Sequence, residues 1–317
     1  MEQYQSNSKM AGVDVGKRRL DAAVHGLEGI VGMVNEAQGH AELIAWLQAR
    51  QVTRVGLEAS GGYERGVREA LQKAGFEVVV HQPLEVRRFA QLKRWKAKND
   101  RLDAKLIAWA TAQVEAVKAA QDPRLVDLSE RMSAYEQITD QAAELKTFLE
   151  SVRLEDIAVL VRTQIQSLDA AKAGLAADIL ARIKAQPDLL RRLRLLQSLP
   201  GVGPIVAASW VIRMPELGAM RRGQAASLVG VAPFDRDSGQ WKGLRFIGGG
   251  RARPRRMLYL AALAAKRCDP TLNAFAQRLL DRGKPKKVAI VAVMRKLIEA
   301  ANLVLCRDQP WLTRISS

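Results

Sequence analysis

The stretch from Pro123 to Pro187 most narrows what this chain can become. It holds no internal proline and a single glycine, Gly174. Leu125, Leu128, Met132, Tyr135, Ala142, Leu145, Leu149 and Val152 recur at steps of three and four, and Ile165, Leu168, Ala171, Leu175, Ile179 and Ile183 resume the pattern. Apolar residues at that spacing share one face of an α-helix. The expectation is two long helices, an antiparallel hairpin bending within Val152–Asp156, with coiled-coil-like packing. An ordinary helical core fits the same periodicity. The stretch cuts the chain into three expected domains, 1–115, 116–190 and 191–317.

Charge follows the same division. Residues 1–110 carry a net +4 and residues 111–190 a net −4. Residues 191–317 carry 24 Lys and Arg against 7 Asp and Glu, so the net charge of +17 sits there. Segregated charge of that size implies a polyanion, DNA or RNA, for the last third. The acidic middle is not expected to be the main nucleic-acid surface.

The first part alternates. Lys9–Val15, Leu20–His25 and Ile30–Asn35 read as strands, Ala41–Arg50 as a helix, and Arg54–Glu58 as a buried-type strand. Tyr63–Ala74 (helix), Phe76–His81 (strand) and Pro83–Lys93 (helix) follow, and a last helix starts near Asp100. That order predicts an α/β domain, a mixed sheet with helices on its faces. Two strands end in acids, Asp14 and Glu58. Ligands gather outside the carboxyl ends of strands in such sheets. If the first and fourth strands are neighbours, Asp14 and Glu58 converge.

Asp100 and Asp103 stand three apart, so they share a helix face. Arg87, Arg88, Lys93, Arg94, Lys96 and Lys98 precede them. Acids in a first helical turn also complement the helix dipole. With Asp14 and Glu58 they make four carboxylates suited to one or two Mg²⁺ ions near a phosphate backbone.

The last third is expected to be mainly helical. In LQSLPGVGPIVAASWVI a helix ends, Pro200-Gly201-Val202-Gly203 turns, and an apolar helix begins. This looks like a helix-hairpin-helix element, whose glycines, here Gly201 and Gly203, let backbone N–H groups approach a phosphate. A plain corner in the core fits as well. Further on, Arg236, Lys242, Arg251, Arg253, Arg255 and Arg256 form a basic cluster, with Pro254 suited to the first position of a helix. Ser238 lies in a loop before Gly239 amid cations, as a candidate nucleophile, although Ser-Gly is also ordinary turn chemistry. The three histidines, His25, His40 and His81, all lie in the first part, so composition excludes a local Ser/His/Asp triad. Activation falls to Asp235, Asp237 or the metal.

Three motifs carry a resemblance. Gly12-Val13-Asp14-Val15-Gly16-Lys17, Leu57-Glu58-Ala59-Ser60-Gly61-Gly62-Tyr63 and Lys98-Asn99-Asp100 with Asp103-Ala104 resemble the DEDD tetrad of insertion-sequence transposases related to the Piv invertase. The resemblance places that tetrad at Asp14, Glu58, Asp100 and Asp103. It implies a first domain of RuvC and ribonuclease H type, Mg²⁺ as cofactor, and a structured guide RNA. Gly230, Pro233, Ser238-Gly239 and Gly243 match the context of the family's serine nucleophile. The implied activity is a transposase or site-specific recombinase that cuts and rejoins double-stranded DNA, the element ends and the target, through a phosphoserine link. It would work as a homo-oligomer, a dimer or a dimer of dimers.

Rivals are a metal-dependent junction endonuclease using water, an actin-like ATPase or kinase, and a non-catalytic DNA-binding scaffold. Gly-x-Asp-x-Gly fits the actin-like reading, but no second Asp-Gly-Gly loop follows downstream. No apolar run is long enough to span a membrane, and residues 1–8 are polar. Cys268 and Cys306 have no metal-ligand spacing. A cytoplasmic protein is expected.

Overall fold

The computed structural model describes residues 9–92, 100–115, 122–234 and 246–312, with the backbone alone at 100–102. The chain divides into two compact units, Met1–Gln121 and Asp122–Ser317.

The first unit holds β1 (Lys9–Val15), β2 (Arg19–Val24), β3 (Val31–Val34), α1 (Ala37–Gln48), β4 (Val52–Glu58), α2 (Glu64–Lys73), β5 (Glu77–His81), α3 (Pro83–Leu92) and α4 (Asp100–Ala112). The expected order is found, with α1 starting earlier than its apolar spacing suggested. The five strands form one sheet in the order β3-β2-β1-β4-β5. β1, β2 and β3 meander antiparallel, while β4 and β5 join parallel to β1. The sheet is mixed, as the alternation predicted. One core of Val13, Leu20, Leu43, Leu57, Val67 and Leu71 joins strands to α1 and α2. A smaller cluster of Val86, Leu106 and Ile107 joins α3 to α4.

The second unit begins with α5 (Pro123–Leu149) and α6 (Glu155–Lys184). Asp122 caps α5 by accepting from the Arg124 N–H, and Pro123 takes the first position, where its missing N–H costs nothing. Asp127 bonds Arg182, Arg131 bonds Asp178 and Lys146 bonds Asp169. Positions advancing on one helix meet positions retreating on the other, so the pair is an antiparallel hairpin that turns at 150–154.

Then follow α7 (Pro187–Gln197), α8 (Pro204–Arg213), α9 (Gln224–Val229), β6 (Pro233–Phe234), β7 (Phe246–Ile247), α10 (Ala252–Cys268), α11 (Pro270–Asp281) and α12 (Lys286–Arg307). Leu125, Met132, Ile179 and Ile183 at the base of the hairpin share one core with Leu193, Trp210, Leu258 and Ile298. That core runs without a break across the boundary the sequence suggested near residue 190. α10 starts two residues before Pro254, which lies buried in its first turn, not at its first position. α11 had no counterpart in the sequence reading, although Asp269 caps it through the Leu272 N–H and Pro270 opens it. Among the described residues no helix is long and apolar enough to cross a membrane.

Candidate active site

β1 and β4 pair parallel with Val13 opposite Leu57, so Asp14 and Glu58, each the next residue, emerge side by side at adjacent strand ends. The first and fourth strands are neighbours, the condition on which that convergence is expected. Side chains alternate along a strand, so Asp14 shares a face with Gly12, and Glu58 with Gly56.

That face carries α4. Gly12 and Gly56 are register partners. A Cβ at Gly12 would lie 2.2 Å from the Ala108 nitrogen and 2.4 Å from the Ala104 oxygen. One at Gly56 would lie 1.8 Å from Thr111 Oγ1. The two glycines thus make a groove in which α4 touches the sheet almost backbone to backbone. Ala104, Ile107 and Thr111 form the buried stripe, and Asp100 falls on the same stripe one turn earlier. α4 therefore starts near the strand ends bearing Asp14 and Glu58. Asp103 is half-buried; the Asp100 side chain lies outside the described residues. Among the described residues, no group of three or more His, Cys, Asp or Glu is arranged to hold a metal ion.

Several residues that the sequence reading missed frame this end of the sheet. Asp21 pairs with Asp14 across the β1–β2 hairpin, on the same face. It is buried, and Arg19 grips it through Nε at 3.0 Å and Nη2 at 2.9 Å. The hairpin register contained this pairing, since both strands run from one tight turn. Asn35 offered no local signal. Its side-chain N–H₂ donates to the Gly16 carbonyl at 2.9 Å and the Tyr63 carbonyl at 3.1 Å, and its oxygen takes His40 Nε2 at 2.8 Å. It ties the turn after Asp14 to the loop after Glu58. Glu64 secures that loop, accepting from the Ser60 N–H, the Ser60 hydroxyl and the Gly62 N–H. Burial pushes the Glu64 carboxyl up, but those hydrogen bonds outweigh it and hold the group below its ordinary range.

His81 stands opposite Glu58 in the β4–β5 ladder and is buried. Thr111 Oγ1 donates to the Ile107 carbonyl at 2.7 Å, so its lone pair faces His81 Nε2, 2.9 Å away, which donates. Burial holds the imidazole below its ordinary pKa, against a smaller upward pull from Glu85.

The expected nucleic-acid residues fall in several settings. Arg87 and Arg88 are exposed on α3, while Lys93, Arg94 and Lys96 lie outside the described residues. Gly201 has φ +73°, and a Cβ there would lie 2.3 Å from the Ala265 nitrogen of α10. Its bare backbone is thus accounted for by packing in the core. Gly203, the N-cap of α8, has open space where a Cβ would be.

The arginines around the start of α10 all have protein partners. Arg251 reaches Glu216 at 2.8 Å, Arg253 reaches Glu136 at 2.8 Å, and Arg256 pairs with Asp140. Arg255 donates to the Gly249 carbonyl at 2.8 Å and the Gly230 carbonyl at 3.3 Å.

Ser238, with Asp235, Arg236, Asp237 and Lys242, lies outside the described residues; its segment, 235–245, is bracketed by β6 and β7. These pair antiparallel, Pro233 with Ile247 and Phe234 with Phe246. Below them a Cβ on Gly250 would lie 2.3 Å from the Gly230 nitrogen. Gly230, Gly249, Gly250 and Arg255 thus pack together between β6, β7 and the start of α10.

An acid-ended mixed sheet followed by a basic helical unit is the plan of a protein that acts on nucleic acid. The DEDD transposase model of the IS110 group matches residues 11–156, and the IS116/IS110/IS902 transposase model matches residues 193–277. The chain belongs to this transposase family. It is similar to the pilin gene-inverting proteins of Moraxella bovis and Moraxella lacunata, each 24% identical over 321 residues, covering 96% of this chain and 98% of the relative. Among solved structures it is similar to the RuvC of Thermus thermophilus, at 18% identity and a TM-score of 0.25, over 33% of this chain and 92% of that one.

Proposed function

We propose that this transposase cuts and rejoins double-stranded DNA at element ends and target through a phosphoserine intermediate on Ser238. The observation that carries the reading is the β1–β4 register, which brings Asp14 and Glu58 to adjacent strand ends beside the first turn of α4. The strand order and senses support a ribonuclease H or RuvC type of domain.

Asp14, Glu58, Asp100 and Asp103 would hold Mg²⁺. All four offer hard carboxylate oxygens, the donors that this ion takes. Bound there, Mg²⁺ would stabilise negative charge on the reacting phosphoryl group. Ser238 Oγ forms a bond to phosphorus as the bond from phosphorus to one deoxyribose oxygen breaks. The serine proton passes to a carboxylate, Asp235 or Asp237, and the leaving oxygen takes up a proton. The hydroxyl of a second strand end then attacks the phosphoserine, restoring the serine and a phosphodiester, so no external energy source is needed.

A relative named for inverting a gene supports rejoining as well as cutting. Strand exchange needs at least two active centres, so the working form is a homo-oligomer, a dimer or a dimer of dimers. Exposed Leu154, Val159 and Leu160 at the tip of the α5–α6 hairpin support a coiled-coil role in that association. Target choice by a structured guide RNA rests on the motif resemblance, and the helix-hairpin-helix reading of Pro200–Gly203 on the turn's own glycine pattern. The site of action is the cytoplasm, at the nucleoid.

The test incubates purified protein and its co-purifying RNA with Mg²⁺ and joined DNA ends. A covalent protein–DNA adduct, lost in Ser238→Ala, is expected. Cleavage that persists in Ser238→Ala supports the endonuclease reading, with water as nucleophile. Active wild type that forms no adduct overturns the serine mechanism.

A further inference from the structure

A cavity of about 780 Å³ opens between α10, α11 and α12. Tyr259, Leu263, Lys266 and Arg267 line it from α10 at spacings that make one helical stripe. Lys286, Lys287 and Ile290 line it from α12. Four of its ten lining residues are cations, and no carboxylate lines it among the described residues. This separates it from the arginines at the start of α10, which are engaged by Glu216, Glu136, Asp140 and backbone carbonyls.

The cavity is built for more than a lone anion. α12 begins here without a side-chain cap and with no acid in its first turn. Its free N–H groups and dipole add to the positive field of Lys286 and Lys287. Between the cations lie apolar Leu263 and Ile290 and the ring of Tyr259, which is 41% exposed. Cations take phosphates; an apolar wall with an exposed aromatic takes a base face. A duplex keeps its base faces stacked inside and presents phosphates, sugars and base edges. An unpaired strand presents phosphates and base faces at once.

We propose that this cavity binds unpaired DNA, with its backbone on Lys266, Arg267, Lys286 and Lys287 and a base against Tyr259. DNA is the strand in question because the chain belongs to a transposase family. The site goes beyond the serine chemistry and does not depend on it.

The test measures binding of fluorescent oligothymidine, oligouridine and a DNA duplex to the full chain by anisotropy, across a salt series. Tyr259→Ala is expected to weaken oligothymidine binding roughly tenfold, with Tyr259→Phe close to wild type and duplex binding unchanged. The double variant Lys286→Glu, Lys287→Glu is expected to flatten the slope of log K against log salt by about 0.7 for each phosphate that it no longer neutralises. These positions lie at the surface, and unfolding curves verify that the variants fold. Unchanged oligothymidine binding in both variants overturns the proposal. Equal weakening of duplex, equal loss in Tyr259→Phe, or tighter binding of oligouridine also overturns it. Because no strand joining is read, failure here leaves the recombinase reading standing, and the reverse holds too.

Discussion

Gly12 and Gly56 face each other across the parallel ladder of β1 and β4, and α4 rests on both. A methyl group at either would lift the helix from the strands that end in Asp14 and Glu58. At Gly12 the obstruction is α4 backbone, which has no rotamer to change. At Gly56 it is the Thr111 side chain. Gly12→Ala is expected to be the more damaging, at or above the top of the ~1–3 kcal/mol range for overpacking, and Gly56→Ala to fall within that range. Urea unfolding of both variants checks the order. On the proposed function both also lose strand cleavage, because α4 carries Asp100 and Asp103.

His81 makes stability depend on pH. Its folded-state pKa is depressed by burial, so between its folded and unfolded pKa values the unfolded chain binds more protons. Stability then rises with pH in that window. The imidazole's contribution is fully present above its ordinary pKa of ~6.5 and is lost as pH falls from there through the folded value. Urea midpoints measured downward from neutral pH are expected to fall. His81→Gln, which has no group titrating there, is expected to flatten the fall while costing ~1–2 kcal/mol at neutral pH through the altered Thr111 hydrogen bond. His40, also depressed by burial, leaves a residual slope of the same sign.

How much of this was legible in sequence differs by part. The strands of the first unit announced themselves as short apolar runs, because a sheet covered on both faces buries consecutive residues, as in Lys9–Val15 and Val52–Glu58. Acids at strand ends stood out for the same reason. Asn35 did not, since its three bonds go to Gly16, His40 and Tyr63, which only the fold brings near. The arginines of α10 were legible as charge, whereas their partners Glu136 and Asp140 lie over a hundred residues earlier on α5. Gly201 read as a phosphate-approach glycine, and its close neighbour Ala265 comes from α10. α11 was missed although Asp269-Pro270 is an ordinary start signal. Its apolar face, with Ala276 alone fully buried, is too narrow to advertise itself.

Asn35 is expected to matter to the site more than to the fold. Its side chain bonds both the turn after Asp14 and the loop after Glu58. Asn35→Ala removes bonds worth about 1 kcal/mol each at most sites, which the sheet core tolerates. On the proposed function it lets the two acids drift, so the Mg²⁺ concentration for half-maximal cleavage rises. A variant as stable as wild type with unchanged Mg²⁺ dependence would show that the tie does not position the acids.

Glu136 lies on α5 among cations. It is buried and accepts from Arg213 at 3.0 Å and Arg253 at 2.8 Å. Glu136→Ala strands Arg213, whose side chain is 13% exposed, in the core. Removing one partner of a buried ion pair costs ~3–5 kcal/mol, whereas replacing both by apolar groups of similar volume is often near neutral. Glu136→Leu with Arg213→Met is therefore expected to be more stable than Glu136→Ala. Denaturant midpoints of the two variants decide it, and the reverse order would mean that Arg213 finds another partner.

Asp140 occupies Arg256, a residue whose position invites phosphate. The pair is half-exposed, and the hydrogen bond from Arg256 holds the Asp140 carboxyl below its ordinary range. An exposed pair contributes ~0–1 kcal/mol, so Asp140→Asn leaves the fold nearly unchanged. It frees a guanidinium on the most basic part of the chain and removes a negative charge next to it. Binding of duplex DNA is expected to tighten, with the slope of log K against log salt steeper by about 0.9, the value of one further phosphate neutralised. An unchanged slope would mean that Arg256 serves α5 alone, and that phosphates are met elsewhere on this basic unit.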